Sequence, residues 1–238
     1  MENSGYTTLT RQTGLMREMQ AIANNIANIS TTGFRKEGVI FAEHVERLGN
    51  GEASLSMATA SVRNTDERQG PLVRTGGTFD FAIEGEGYFL IETPGGERLT
   101  RAGAFTPSAE GELVTMDGYR LLDNGGAPIF VPTDASSVSV ASDGTISANG
   151  LPLAQVGLYQ PVDPLQMTRE GGVRFASEAG VDPVEGAKIL QGFVEESNVD
   201  PVSEIARMIE VQRSYELGQS FLEKEDERVR SVLQTLGR

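Results

Sequence analysis

Apolar side chains recur at helical spacing near both ends of this chain and alternate at strand spacing between them. Near the start, apolar residues recur every seven positions at Leu9, Met16 and Ala23. Met19 and Ile26 follow three positions after the second and third of these. Residues spaced in this way share one face of an α-helix. The pattern predicts a helix over residues 6–30, with a stop at Gly33, since glycine readily adopts the left-handed conformation of a helix end.

The C-terminal segment carries a longer pattern of the same kind. Its heptad positions and their companions are Met208, Val211, Tyr215, Gly218, Leu222, Val229, Val232 and Leu236. Asp200 is placed to cap the first turn, and Pro201 suits the first helical position. We predict a helix over residues 202–236, which at 1.5 Å per residue would be roughly 50 Å long.

Between the helices the apolar period changes to two, which is typical of strands. The segment 78–83 alternates in this way, 88–93 is expected to follow it as a strand, and Asp117-Gly118 and Asp143-Gly144 each lie within a further candidate strand region. Because Asp-Gly tolerates positive φ, we predict a hairpin with a type I′ turn at each dipeptide. Further strands are expected at 129–131, 151–159, 173–176 and 187–194.

These patterns predict an α+β fold in which N- and C-terminal coiled-coil-like helices flank an inserted antiparallel β-rich domain. The expected divisions are an N-terminal assembly helix (1–34), a linker or extended segment (35–71), a β-rich outer domain (72–176), a return linker (177–199) and a C-terminal assembly helix (200–238). Neither helix has a partner nearby in sequence, so we expect the two to pair. The alternative is that each packs separately on the sheet.

The first helical segment is poorly equipped to be stable alone. It carries Asn24, Asn25 and Asn28, and asparagine is a mediocre helix former. Isolated helices of this length are marginal even with good formers. We therefore expect the segment to be disordered in a free monomer and to order when neighbours cover it. Small residues at Ala23 and Ala27 permit close helix approach, and the asparagines can fix register by hydrogen bonding across helices.

Composition narrows the range of functions. The chain has 238 residues, a formal net charge of −14 and no cysteine. An acidic surface disfavours nucleic acid and anionic membranes as partners. Absence of cysteine excludes disulfides, thiolate catalysis and cysteine-bound metals. The N-terminal segment lacks the basic and apolar regions of a cleavable signal, and no run of about 18 apolar residues predicts direct membrane insertion.

The sequence gives only weak signals for catalytic or ligand-binding residues. His44 is the only histidine, and a solvated surface position is the simplest interpretation. Glu84 and Glu86 flank Gly85 and could form a carboxylate pair, but a turn with solvated acids fits the pattern better. The stretch "GEGYFL" lacks the third glycine and the helix of a dinucleotide site. We predict no enzyme activity, no metal and no cofactor.

Three long motifs resemble one protein family. The stretch "ANNIANISTTGFRKEGVIF" (23–41) is similar to the N-terminal signature of the flagellar basal-body rod and hook family. The stretches "FDFAIEGEGYFLIETPGGERLTRAGAFTPSAEGELVTMDGYRLL" (79–122) and "GFVEESNVDPVSEIARMIEVQRSYE" (192–216) resemble its central and C-terminal motifs, in the family's order. The opening "MENSGYTTLTRQ" departs from the family pattern.

The resemblance implies a structural subunit of the axial rod in the flagellar basal body, spanning the periplasm and transmitting torque from motor to hook. Such proteins leave the cytoplasm through the flagellar type III export apparatus without signal cleavage, and their partners are copies of themselves and other rod proteins. The assembly interface would comprise Leu9, Met16, Met19, Ala23, Asn24, Asn25, Ile26, Ala27, Asn28, Gly33, Phe34, Met208, Val211, Tyr215, Gly218, Leu222, Val229, Val232 and Leu236.

Two alternatives remain open. Only 35 residues separate Gly33 from Gln69. This short spacing resembles that of the proximal rod subunits, whereas distal subunits usually carry a longer segment here. Because loop length varies readily, a distal subunit is the alternative within the family. A soluble periplasmic β-domain module, binding or hydrolytic, is the alternative from a different class.

Overall fold

A computed structural model describes residues 2–46, 55–184 and 186–236. By internal contacts the chain divides into two compact units. Unit 1 comprises Met1–Ala27, Lys36–Glu67 and Val199–Arg238, and unit 2 comprises Asn28–Arg35 and Arg68–Asn198. Both the N-terminal and the C-terminal region therefore contribute to unit 1.

Unit 1 contains helix α1 (Glu2–Ala27), helix α2 (Pro201–Leu236) and an antiparallel pair of strands, β1 (Glu37–Glu46) and β2 (Leu55–Thr65). The two helices pack against each other, which confirms the expected pairing of the chain ends. Helix α2 begins where the capping signal predicts, since the Asp200 Oδ1 accepts a hydrogen bond of 3.2 Å from the Val202 N–H. Strands β1 and β2 lie within residues 35–71, where a linker or extended segment was expected, and pair with each other.

Unit 2 is built from short strands. They are β3 (Leu72–Arg74), β4 (Phe81–Glu84), β5 (Tyr88–Thr93), β6 (Gly96–Thr100), β7 (Phe105–Pro107), β8 (Leu113–Thr115), β9 (Arg120–Leu121), β10 (Val138–Val140), β11 (Thr145–Ala148), β12 (Leu151–Gln155), β13 (Leu158–Pro161), β14 (Met167–Arg169), β15 (Arg174–Ser177), β16 (Val181–Pro183), β17 (Lys188–Gln191) and β18 (Phe193–Glu195). A short 3₁₀ turn, Pro164–Gln166, precedes β14.

The strands of unit 2 pair in antiparallel fashion. The largest sheet runs in the order β14-β15-β6-β5-β9-β8-β7, with β13 joining β5 and β16 joining β13. A three-stranded sheet has the order β10-β11-β12, and two further pairs are β17-β4 and β18-β3. Strands β16, β17 and β18 lie within the expected return linker, so that segment completes the β unit.

The core of unit 2 lies on both faces of β5. Phe89 and Ile91 point into one apolar cluster, whereas Tyr88 and Leu90 point into a second. Four consecutive buried residues are expected of a strand covered on both sides, because successive side chains alternate between faces. The arrangement confirms the predicted α+β class, with a helix at each end and antiparallel strands between.

The predicted hairpins are present, but their turns are of another type. Strand β8 pairs with β9 across Asp117-Gly118, and β10 pairs with β11 across Asp143-Gly144. A type I′ turn needs positive φ at both central residues. Among the described non-glycine residues only Asn149 has positive φ, at 52°. Asn149-Gly150, between β11 and β12, has positive φ at both residues, as a type I′ turn requires. It lies just before the region that the alternating pattern predicts as one continuous strand.

Candidate functional site

The segment that follows α1 is held in unit 2 by a close backbone approach. Gly33 has a φ of 70°, and its N–H donates a hydrogen bond of 2.7 Å to the Glu195 carbonyl. A Cβ at this position would lie only 2.2 Å from the backbone nitrogen of Ala102. Glycine is therefore required here both by the left-handed conformation and by the absence of space.

Arg35 and Arg101 converge on Glu195 inside unit 2. The exposed fraction is 1% for Arg35, 4% for Arg101 and 1% for Glu195. Glu195 lies 2.9 Å from the Arg35 Nη2 and 3.3 Å from the Arg101 Nη1. Burial lowers the pKa of the Arg101 guanidinium below its ordinary value, and the Glu195 charge opposes that effect. One carboxylate thus compensates two buried cations.

Arg169 lies against the aromatic ring of the same segment. Its guanidinium carbon is 4.6 Å from the centroid of the Phe34 ring and 4.6 Å from that of Phe175. Its Nη2 also donates a hydrogen bond of 2.6 Å to the Arg35 carbonyl. Cation–π contacts strengthen when the cation is shielded from water, and Phe34 is almost completely buried. Residues 33–35 are therefore an integral part of unit 2.

A second polar cluster lies in unit 1 around Asn25, which is completely buried. Its Nδ2 donates to the Glu37 carbonyl at 2.8 Å and to the Glu204 carboxylate at 2.9 Å, while its Oδ1 accepts from the Glu37 N–H at 2.8 Å. Lys36 Nζ lies 2.5 Å from the other oxygen of Glu204. One amide thereby joins α1 to the start of β1 and to the first turn of α2.

The helices of unit 1 pack through one apolar stripe from each. Leu15, Ile22 and Val211 are buried at the centre, with Met19, Ile26, Met208 and Tyr215 packed around them. Glu18 and Arg207 form an ion pair of 2.7 Å beside the stripe. At the far end, the Gln12 Nε2 donates to the Tyr215 carbonyl at 3.3 Å. Gly218 allows this approach, since a Cβ there would lie 3.0 Å from the same nitrogen.

The buried stripe of α1 differs from the predicted seam by one position. Leu15 and Ile22 are buried, whereas Leu9, Met16 and Ala23 are exposed. Leu15 precedes Met16 and Ile22 precedes Ala23, so two adjacent apolar stripes run along this helix. The heptad spacing alone does not distinguish between them. Met19 and Ile26 face the partner helix as expected.

The remaining predicted interface residues divide between covered and exposed positions. Asn25, Gly33 and Phe34 are buried within the single chain. Asn24, Asn28, Gly218 and Leu222 are half-buried, and Ala27, Val229 and Val232 are exposed. The side chain of Leu236 lies outside the described residues.

Helix α2 also displays apolar residues that lie outside the stripe shared with α1. Val202, Ile205 and Ile209 share one face near its start, with exposed fractions of 75%, 52% and 46%. Val229, Val232 and Leu233 share one face near its end. Isolated exposed apolar residues are ordinary, but clusters of them on one face mark interaction surfaces.

The other candidate residues, proposed for catalysis or metal binding, do not form a site in the described part of the chain. Glu84 and Glu86 are exposed beside Gly85 between β4 and β5. The side chain of His44 lies outside the described residues. Within residues 2–46, 55–184 and 186–236, no group of three His, Cys, Asp or Glu side chains is placed to hold a metal ion. Nor does either described helix have the length and apolar character needed to cross a membrane.

Comparison with known proteins gives matches along the whole chain. The family models that match are "Flagella basal body rod protein" over residues 6–35, "Flagellar hook protein FlgE/F/G D1 domain" over 82–148 and "Flagellar basal body rod FlgEFG protein C-terminal" over 190–235. The flagellar basal-body rod protein FlgF of Caulobacter vibrioides is 39% identical over 100% of this chain and 99% of its own length. The chain belongs to the flagellar basal-body rod protein family.

Two further relatives match over most of the chain. FlgF of Mesorhizobium japonicum is 36% identical over 100% of this chain and 99% of its own length. The flagellar basal-body rod protein FlgG of Agrobacterium fabrum is 33% identical over 92% of this chain and 93% of its own length.

The charged network of unit 2 draws on all three family segments of this rod protein. Arg35 ends the first, Arg101 lies in the second and Glu195 lies in the third. Sequence patterns did not single out these residues, nor Arg169 and Glu204. Arg101 and Glu195 are 94 residues apart in the chain, and such a pairing leaves no periodic signal. The one available hint was that Arg35 directly follows Gly33 and Phe34 in the signature.

Proposed function

We propose that this chain is a structural subunit of the proximal rod of the bacterial flagellar basal body. In this role it polymerises through its terminal helices into the axial rod, which transmits torque from motor to hook. The observation that carries the proposal is the match to FlgF proteins from one end of the chain to the other. FlgG proteins are less similar, so a distal-rod role is the weaker candidate.

The distribution of apolar residues supports polymerisation. The stripe centred on Leu15, Ile22 and Val211 is used within the chain. Leu9 and Met16 on α1, and both exposed clusters on α2, remain uncovered in a single copy. Burial of apolar surface is the dominant favourable term in most protein association. Neighbouring copies and other rod proteins are the proposed partners of these faces.

The proposal extends to the route and the compartment. The chain would be exported by the flagellar type III apparatus without signal cleavage and would function in the part of the basal body that crosses the periplasm. An assembly role requires no catalysis and no cofactor. It also requires neither nucleic acid nor membrane insertion, in keeping with the acidic net charge of −14.

Charge substitution in the helix pair tests this proposal. Ile26→Asp and Leu222→Asp place a charge at half-buried apolar positions of α1 and α2, where an unpaired charge is costly. We expect both variants to lose filament formation by the purified chain and motility in cells, while circular dichroism shows that unit 2 remains folded.

The exposed position Gln20 provides the control, since Gln20→Asp adds the same charge to α1 at the surface. That variant should assemble and support swimming. Normal assembly and swimming by Ile26→Asp and Leu222→Asp would contradict the proposed role of the helices. A wild-type chain that stays monomeric at every concentration would favour the periplasmic module instead.

A further inference from the structure

The chain contains three dipeptides in which asparagine precedes glycine, at residues 50, 124 and 149. The first lies outside the described residues. An asparagine before glycine is chemically labile, because the unhindered glycine nitrogen can attack the side-chain amide carbon of the asparagine. Asn124 and Asn149 are both exposed, so neither sequence nor solvent access distinguishes them. Their hydrogen bonds and backbone conformations do.

Asn149 is held in an unreactive arrangement. Its Oδ1 accepts hydrogen bonds from the Ser136 N–H at 3.1 Å, the Ser136 hydroxyl at 2.8 Å and the Ser137 N–H at 3.3 Å. Its φ of 52° lies in the left-handed region, where ψ is typically about +47°. At that ψ the Gly150 nitrogen is trans to the Asn149 Cβ and therefore far from the side-chain carbon. Attack would require a large backbone rotation and the loss of all three side-chain hydrogen bonds.

Asn124 lies in a different kind of turn. The Gly126 N–H donates a hydrogen bond of 3.1 Å to the Asp123 carbonyl and closes a β-turn. Its central residues are Asn124 and Gly125, and neither has positive φ, as in a type I turn, where the first central ψ is about −30°. The Gly125 nitrogen is then gauche to the Asn124 Cβ. Among the described residues, the Asn124 carboxamide makes one hydrogen bond, from Nδ2 to the Gln155 Oε1 at 3.0 Å. A smaller rotation and the loss of one bond would bring its carbon to the nitrogen.

A carboxylate contacts the nitrogen that would attack. The Asp123 Oδ1 accepts a hydrogen bond of 2.8 Å from the Gly125 N–H. A general base has to lie within about 2.6–3.2 Å of the atom whose proton it removes, and this distance meets the condition. The same oxygen accepts a second bond of 2.8 Å from the Ala127 N–H, which fixes the carboxylate in place. Asp123, Asn124 and Gly125 therefore supply a base, an electrophile and a nucleophile in one turn.

We propose that Asn124 is a self-modification site, at which the chain converts its own asparagine to aspartate or isoaspartate with Asp123 as the general base. The Gly125 nitrogen bonds to the Asn124 side-chain carbon as its proton passes to the Asp123 carboxylate. The bond from that carbon to Nδ2 then breaks, and the nitrogen leaves as ammonia with the proton returned by Asp123. Water opens the resulting succinimide at either carbonyl. One water is consumed and one ammonia is released, so the step needs no oxidant, reductant or cofactor.

The modification changes the contacts of the turn. Nδ2 is the donor to Gln155, and the new carboxylate has no proton to donate there. Isoaspartate also adds a methylene group to the backbone, next to the Asp123 carbonyl that accepts from the Tyr159 hydroxyl at 3.2 Å. The inference goes beyond the proposed rod function and does not depend on it.

Peptide mapping of the aged full-length chain tests the proposal. The chain is incubated at neutral pH and sampled over weeks. Trypsin then releases both asparagines on one peptide, residues 121–169, because residues 121–168 contain no lysine or arginine, and fragment masses locate each deamidation. We expect Asn124 to be modified at least about tenfold faster than Asn149, a factor that two additional hydrogen bonds can supply. Modification of Asn149 at an equal or higher rate would contradict the assignment.

Two controls separate the turn from the dipeptide itself. In urea-denatured chain the fixed contacts are lost, so the two rates should converge, and an undiminished preference for Asn124 in urea would show that the fold does not cause it. Asp123→Ser keeps an oxygen that can accept from the Gly125 N–H but removes the carboxylate base. We expect the Asn124 rate to fall about tenfold or more, with the Asn149 rate unchanged. An unchanged Asn124 rate in this variant, with circular dichroism like that of the wild type, would overturn the role of Asp123.

Discussion

Glu195 forms ion pairs with two buried arginines in unit 2. Because Arg35 and Arg101 are both almost fully enclosed, removing the carboxylate charge would leave two uncompensated cations in a medium of low polarity. We expect Glu195→Gln to lower the free energy of unfolding by about 3 kcal/mol or more, since breaking a buried pair is strongly destabilising. Chemical denaturation followed by near-ultraviolet circular dichroism would measure the change.

The neighbouring Glu196 gives a matched control, because it is exposed. Glu196→Gln removes the same charge from the same segment and should leave the unfolding midpoint nearly unchanged. Equal effects of the two substitutions would show that net charge matters here and that the buried network does not.

Gly33 combines a left-handed conformation with a lack of space for any side chain. With φ at 70° and the Ala102 nitrogen 2.2 Å from the position that a Cβ would occupy, Gly33→Ala should prevent residues 28–35 from docking in unit 2. Gly76 has a φ of 75° and nothing within 4 Å of its Cβ position. Gly76→Ala should therefore cost only the conformational term of about 1 kcal/mol. Similar losses of stability for both, measured by chemical denaturation, would contradict the close-approach argument.

The start of α2 depends on the charge state of Asp200. Hydrogen bonds from the Ser203 hydroxyl and then from the Val202 N–H lower the pKa of this carboxyl below its ordinary value. Because the pKa is lower in the folded state, the ionised Asp200 stabilises the fold at pH values above the ordinary aspartate pKa of about 4. This contribution is lost as the pH falls through the lowered value. Acid should therefore weaken this helix start.

Asp200→Ala removes the cap at every pH. We expect the stability difference between the wild type and this variant to be constant at neutral pH and to shrink below about pH 4. Asp200→Asn keeps an acceptor without a titrating charge, so it should show a flatter pH profile than the wild type. A difference that stays constant into strong acid would show that the Asp200 charge contributes nothing.

Asn25 joins three elements of unit 1, and its amide cannot be replaced by an isosteric acid. In Asn25→Asp the donor to the Glu37 carbonyl and to the Glu204 carboxylate becomes an acceptor facing both. We expect a loss of about 2 kcal/mol, from unsatisfied buried groups and like-charge repulsion. Asn28 is half-buried and its Oδ1 accepts from Thr31, so Asn28→Asp preserves an acceptor and should be milder. Hydrogen exchange of α1 would report the difference.

Elements with strong local signals could be predicted from the sequence. Helix α2 begins at Pro201, after the cap at Asp200, and ends at Leu236 as the heptads indicate. The two Asp-Gly hairpins were also predictable, since each dipeptide separates two alternating runs. The Asn149-Gly150 turn could have been found as well, because Asn-Gly between apolar runs is among the strongest hairpin signals.

Elements whose partners are distant in the chain could not be placed in the same way. Strands β1 and β2 lie within residues 35–71, which were expected to be a linker or extended segment, and their pairing is established only by the fold. The facing stripe of α1 was ambiguous because Leu15 and Met16 are adjacent and both apolar. The buried charges Arg35, Arg101 and Glu195 follow no period, so only the three-dimensional structure brings them together.

At the scale of the whole molecule, the first helix and the segment that follows it belong to different units. The sequence patterns place the boundary of the region that orders on assembly near residue 35. The structure includes residues 28–35 in unit 2, where Phe34 and Arg35 are each 1% exposed. Helix α1 ends at Ala27 and depends on unit 1. We therefore expect the boundary at residue 27.

Trypsin can compare the two sides of this boundary in one experiment, since it cleaves after arginine at Arg17 in α1 and at Arg35 in unit 2. In dilute monomer, cleavage after the exposed Arg17 should be fast, because local opening of a marginal helix exposes the bond. Cleavage after the buried Arg35 should be slow, because it requires opening of the Glu195 network. In the polymer, the Arg17 site should become resistant too.

Urea-denatured chain is the control for the intrinsic preference of trypsin, because it should be cut at both sites alike. Equal resistance of both sites in monomer would mean that α1 is already stable without neighbours, and assembly would then join preformed helices.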